Sequence, residues 1–114
     1  MEATASSKYL RMSPQKVRLV VDLIRGRDAG EALNILRFTK KRATREIEKV
    51  LRSAIANAEQ KSENVDVDRL VVAKAYVDDG PRAKRIRPAP MGRAYRYQRR
   101  MSHITVVVEE RAKD

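Results

Sequence analysis

Between Pro81 and Arg100 the sequence places eight basic side chains, Arg82, Lys84, Arg85, Arg87, Arg93, Arg96, Arg99 and Arg100, and no acidic one. Cations at this density suit one chemistry above others, the binding of a dense polyanion. Seven of the eight are arginine, whose planar fork takes two phosphate oxygens at once and stacks on bases. Tyr95 and Tyr97 interleave with Arg93, Arg96 and Arg99 and offer flat faces to unstacked bases. In a regular strand Arg93, Tyr95, Tyr97 and Arg99 share one face and Arg96 and Arg100 the other. An element charged on both faces is one surrounded by its partner. The competing reading is a solvated basic tail or a nuclear-localisation-like run, and two closely set prolines between β-rich flanks argue for a shaped element instead.

A second group of cations, Arg11, Lys16, Arg18, Arg25, Lys40, Lys41 and Arg42, falls at or near expected helix ends and loops, where several can converge on phosphates. For any one of them a solvated charged face is an equal alternative. His103, the single histidine, stands beside Ser102, with Asp78 or Asp79 expected across a hairpin. By residue type this is a Ser/His/Asp set, yet adjacent residues in a strand point to opposite faces, the wrong geometry for a nucleophile and its base. His103 therefore reads as a hydrogen-bonding residue at the hairpin base or against RNA. Asp66, Asp68, Asp78 and Asp79 match no Ca²⁺-loop spacing, and Gly26 to Gly30 lacks the Lys-Ser/Thr of a phosphate loop. No metal, no cofactor and no enzymatic activity are expected.

The elements that must position these residues follow from periodicity. Leu70 to Val77 and Ile104 to Val108 are rich in β-branched and aromatic residues. Paired antiparallel, with Val72 near Val108 and Val77 near His103, they put the turn inside Pro88 to Gly92, the local Pro/Gly cluster. The basic segment becomes the distal half of one long hairpin, an arm on the order of 35 Å. Ala3 to Leu10 alternates weakly as a third strand. Ser13-Pro14 starts a helix with Val17, Val20, Val21 and Ile24 on one stripe, Leu19 and Leu23 widening it, and Gly26 ending it. Asp28 to Glu31 resembles a capping box before a short helix with Ala32, Leu33, Ile35 and Leu36. After a basic break at Thr39 to Arg42, a longer helix carries Ala43, Ile47, Val50, Leu51, Ala54 and Ala58 on one face. The small side chains of Ser53 to Ala58 allow a sheet to approach closely. Lys61 to Asp68 reads as a loop.

The expected fold class is α+β: three helices packed on a small three-stranded antiparallel sheet, with one long protruding β-hairpin. A chain of 114 residues without a Pro/Ser/Gly linker suggests a single domain, its body at 1–79 and 101–114 and its hairpin tip at 80–100. The net charge is +11, of which the hairpin segment supplies +8. Absence of cysteine excludes disulfides and thiolate metal sites and fits a reducing compartment. No apolar run approaches the ~20 residues of a membrane span, and no signal-peptide core is evident.

Several blocks carry a resemblance. Ser13 to Gly26 (SPQKVRLVVDLIRG), Ser53 to Ala58 (SAIANA), Asp79-Gly-Pro81, Gly92-Arg-Ala94 and Ser102 to Val108 (SHITVVV) are similar, in order and spacing, to the bacterial large-subunit ribosomal protein twenty-two family over essentially the whole chain. The resemblance implies a cytoplasmic, ribosomal protein bound within large-subunit ribosomal RNA beside neighbouring large-subunit proteins. It implies a body near the exit of the peptide tunnel and a hairpin along the tunnel wall, facing the nascent peptide. The family's macrolide-sensitive segment matches Ala83, Lys84 and Arg85, and its tunnel-facing tip matches Ala89, Pro90, Met91, Gly92 and Arg93. The tip departs from the frequent Pro-Arg-Ala-x-Gly-Arg pattern, with Ala89 in place of arginine and Pro90 added. A free-standing nucleic-acid chaperone or regulator using a basic hairpin is the alternative from another class.

Overall fold

Pro14 sets the start of the first helix through its own ring. Its φ is fixed near the helical value and its missing N–H is one no helix needs at that position. The Ser13 side chain makes no capping bond, but its carbonyl accepts from Lys16 N and Val17 N. The computed structural model describes residues 1–62, 64–88, 92 and 94–111, with side chains except at 83–88 and 94–99. Along them run β1 (Glu2–Leu10), α1 (Pro14–Ile24), α2 (Ala29–Phe38), α3 (Thr44–Lys61), a 3₁₀ turn (Val67–Arg69), β2 (Leu70–Pro88) and β3 (Ala94–Glu110). The strands form an antiparallel sheet in the order β1-β3-β2, so the α+β class is as expected.

The helices cover one face of that sheet. Val17, Val20, Val21 and Ile24 of α1 join Leu36 of α2, and Ile47, Val50, Leu51, Ala54 and Ala58 of α3, in one core with Leu70, Val72, Val77, Ile104, Val106 and Val108. Leu19 and Leu23 were expected to widen the α1 stripe, but they are 64% and 44% exposed. At about 3.6 residues per turn both fall on the side turned away from the four buried residues, which fill the contact without them. The capping box at α2 also does not form. Asp28 holds the N-cap position without a side-chain bond and pairs with Arg111 at 3.4 Å, while Glu31 pairs with Arg27 at 3.2 Å.

The strand register explains what the hairpin base presents. Val72 faces Val108 as the alternation predicts, but Val77 faces Ile104 and Asp78 faces His103. A bulge between Val72 and Lys74 shifts the ladder by one residue. Inward positions accordingly pass from Leu70 and Val72 to Ala75 and Val77. A second irregularity lies between Asp79 and Arg82. There a Cβ on Gly80 would stand 3.1 Å from Met101 backbone atoms, which explains the glycine.

Both edges of the body's sheet are closed by side chains and backbone from the helices. On β1, Asn57 Nδ2 donates to Thr4 O at 2.9 Å and Lys61 Nζ to Glu2 O at 2.6 Å. On β2, Gly26 N donates to Val72 O and Val72 N to Arg27 O, both at 2.9 Å. Gly26 holds φ +80 to make that turn. Arg25 donates Nη2 and Nε to Ala75 O at 2.7 and 3.0 Å, and Arg18 does the same to Val77 O at 2.8 and 3.2 Å. Exposed edge carbonyls invite strand addition, and two guanidinium forks occupy them here.

Candidate nucleic-acid interface

Beyond the core the β2–β3 ladder continues through Arg82↔Arg100, Ala83↔Arg99, Lys84↔Gln98, Arg85↔Tyr97, Ile86↔Arg96, Arg87↔Tyr95 and Pro88↔Ala94. The pairing sets Arg82 directly across from Arg100 and each of Tyr95 and Tyr97 across from an arginine. Like charges directly opposite each other destabilise a ladder, and anions between them reverse that sign. Both Arg82 and Arg100 are exposed. Of the expected tip residues, Gly92 has φ +70, a turn conformation. Ala89, Pro90, Met91 and Arg93 lie outside the described residues.

A second basic site forms on the body. The turn after β1 and the turn before α3 face each other across a two-lobed cleft, with Arg11 and Met12 on one bank and Lys41 and Arg42 on the other. One lobe, ≈ 490 Å³, continues past Ser13, Lys16, Leu19 and Ala43. The other, ≈ 570 Å³, continues past Leu10 and the first turn of α3, Thr44, Arg45 and Glu46. Thr44 Oγ1 donates to Lys41 O at 2.7 Å and fixes the turn that projects Lys41 and Arg42. Of the seven body cations singled out in the sequence, the cleft gathers four: Arg11, Lys16, Lys41 and Arg42. Lys40 is exposed on the same turn but does not line it. Arg45 was missed, because only the fold brings the first turn of α3 to this bank.

The profile of the family described as Ribosomal protein L22p/L17e matches residues 5–109. The chain belongs to the L22p/L17e family. Three bacterial relatives, each named Large ribosomal subunit protein uL22, align along nearly their full length. That of Solibacter usitatus is 63% identical over 111 residues, covering 97% of this chain and 98% of the relative. That of Clostridium novyi is 53% identical over 112 residues, covering 98% and 100%. That of Maridesulfovibrio salexigens is 58% identical over 110 residues, covering 96% and 99%. As an L22p/L17e member the chain is a structural ribosomal protein and not an enzyme.

The remaining polar residues fit an L22p/L17e protein without catalysis. Ser102 is fully buried and donates Oγ to Met12 O at 2.6 Å, which ties β3 to the turn before α1. His103 points to the opposite face of β3, where its Nδ1 accepts from Tyr9 N–H at 3.0 Å. Tyr9 itself carries no signal in the sequence: it has φ +61, is 61% exposed, and stands edge-on to His103 at 5.0 Å and 87°. Arg18 and Arg25 also pair with Asp79 at 3.9 Å and Asp22 at 2.7 Å, so in this family member both already serve the sheet edge. Among the described residues no cluster of His, Cys, Asp or Glu suits a metal, and no helix is long and apolar enough to cross a membrane.

Proposed function

We propose that this chain is built into the large ribosomal subunit in the cytoplasm, binds large-subunit ribosomal RNA with its body cleft and basic hairpin, and lines the nascent-peptide exit tunnel with residues 83–85 and 89–93. The body, 1–79 and 101–114, and the tip, 80–100, act as one domain whose distal half stands clear of the core. One observation carries the reading: the ladder continues from a closed core, through two irregularities, out to Pro88↔Ala94 along a stretch with seven cations and no carboxylate, in a chain of a ribosomal family. Arginine forks along the arm take phosphates and Tyr95 and Tyr97 take unpaired bases. The small and apolar Ala89, Pro90 and Met91 leave the tip facing the nascent peptide without strong attraction for it. Ala83, Lys84 and Arg85 occupy the stretch where macrolide sensitivity is expected.

Sucrose-gradient sedimentation of lysate tests this. The chain should migrate stoichiometrically with large subunits and remain there through a high-salt wash. Migration with free RNA or in the soluble pool would instead identify a free-standing nucleic-acid chaperone.

A further inference from the structure

Arg18, Arg25, Arg27, Lys49, Arg52 and Arg111 each lie within 4.0 Å of a carboxylate, and Lys61 donates to Glu2 O. Among the described body cations with neither a carboxylate partner nor a side-chain hydrogen bond, Lys8, Arg37, Lys40, Arg69 and Lys74 do not line the two-lobed cleft, whereas Arg11, Lys16, Lys41, Arg42 and Arg45 all do. The one acid on its rim, Glu46, is engaged by Lys49 at 3.5 Å. Such a convergence of unneutralised charge is unfavourable in the isolated protein and calls for an anion. The charge alone would be met by a phosphate lying across the mouth. The lobe beside Leu19 offers something further, because a half-buried Met12 and a Leu19 that is 64% exposed supply apolar surface beside the charged waist. Its volume, ≈ 490 Å³, is within the roughly 300–1,000 Å³ typical of small-ligand sites.

We infer that this cleft seats a single extruded nucleotide of the RNA. The base lies in the lobe of Met12, Leu19 and Ala43, and its phosphate sits at the waist between Arg11 and the Lys41–Arg42 turn. The adjoining phosphate reaches Arg45 at the first turn of α3, whose opening N–H groups favour an anion. A paired base cannot enter, since its faces are covered by its neighbours in the stack. The occupant is therefore a loop, bulge or flipped nucleotide. The inference rests on the RNA-binding reading above and adds to it a discrete recognition point on the body, independent of the hairpin. It also accounts for an exposed leucine that the core does not use.

The test compares full-length variants on a transcript of the large-subunit ribosomal RNA from the same organism, titrated with salt. Leu19→Ala removes apolar surface only, and it should weaken binding on the order of fivefold with an unchanged slope of log K against log salt. Lys41→Gln with Arg42→Gln should flatten the slope by up to about 0.7, the value for the one phosphate held at the waist. Photo-leucine at position 19 should crosslink to one base. Both variants alter exposed side chains and should melt as the parent does. A flattened slope for the pair with a silent Leu19→Ala and no base crosslink overturns the nucleotide seat and leaves a phosphate contact. If both variants bind as the parent does while deletion of 82–100 abolishes binding, the cleft faces solvent and the RNA-binding reading stands. If the deletion is silent too, the RNA-binding reading falls with it.

Discussion

The two halves of the β2–β3 ladder share one backbone pairing and have opposite surroundings. From Leu70 to Val77, paired with Ile104 to Glu110, inward residues are buried under three helices, and guanidinium groups occupy the outer carbonyls of Ala75 and Val77. From Arg82 to Pro88, paired with Ala94 to Arg100, the two strands hold seven cations and no carboxylate. The first half is stabilised by the protein itself. The second contains what repels itself until a polyanion arrives. The Asp79–Arg82 irregularity, with Gly80 pressed on Met101, marks the change. The core-forming stretch and the stretch proposed to bind RNA are thus different parts of the same two strands, and the proposal requires that each can be perturbed without the other.

The largest effect should come from removing the distal half. Replacing Arg82 to Arg100 with an Asn-Gly turn closes a short hairpin with favoured chemistry and lowers the net charge from +11 to +3. Circular dichroism should still show a cooperative melt, because every core residue among the described ones is retained. RNA affinity should collapse, and if half the removed cations meet phosphates the salt slope flattens by roughly 3 units. An unfolded product would erase the distinction between the halves, and an unchanged slope would leave the arginines without a role in binding.

The proximal half answers to the reverse perturbation. Leu51 is fully buried against the sheet, so Leu51→Ala should cost about 2–5 kcal/mol through lost burial and the cavity left behind. Urea denaturation measures it. At temperatures where the variant remains folded, the salt slope of RNA binding should match the parent's. A stability change well under 1 kcal/mol would mean the α3 face is assigned wrongly.

Edge closure should matter less. Arg25→Ala leaves the Ala75 carbonyl to water, and with the Arg25 side chain 47% exposed the expected loss is about 1 kcal/mol. The sharper readout is hydrogen exchange, which should accelerate at Tyr76, the residue between the two held carbonyls whose amide faces β3, relative to Val106. An unchanged ratio between the two would show that the guanidinium does not hold the edge.

These perturbations fall differently on what was readable in advance. The buried faces of α1 and α3 follow from spacing alone, since one stripe at helical period has one way to meet a sheet. The ladder was legible for a similar reason: β-branched runs flank a Pro/Gly cluster at matching distances. The bulge after Val72 was not, because Val71-Val72-Ala73 reads the same with or without an extra residue, and its one-residue slip decides that Asp78 and not Val77 faces His103. Leu19 and Leu23 misled because they adjoin stripe residues in sequence, although helical spacing sets both on the side turned away from the core. The cleft was half legible. Lys41 and Arg42 announced a basic turn, but that Arg11 stands opposite, and that Arg18 and Arg25 turn to the sheet edge instead, depends on where α1 and α3 cross the sheet.

Tyr9 is the case with no sequence signal at all, and it yields the smallest and most specific effect. β1 shifts register between Ser7 and Leu10, and Tyr9 takes φ +61 there, a conformation that costs an L-residue about 1–2 kcal/mol. Tyr9→Ala and Tyr9→Gly lose the same ring and the same edge-on contact with His103, and both keep the backbone N–H that bonds Nδ1. They differ only in whether a Cβ must occupy the left-handed region. At an ordinary strand position alanine is the more stable of the two by roughly 0.5–1 kcal/mol. At this one the order should invert, with glycine more stable by about 1 kcal/mol, read as the difference between the two urea midpoints at constant m. Alanine at or above glycine would mean that β1 relaxes out of the left-handed turn once the ring is gone. The ring, and not the chain's course at the root of the hairpin, would then be what holds Tyr9 in place.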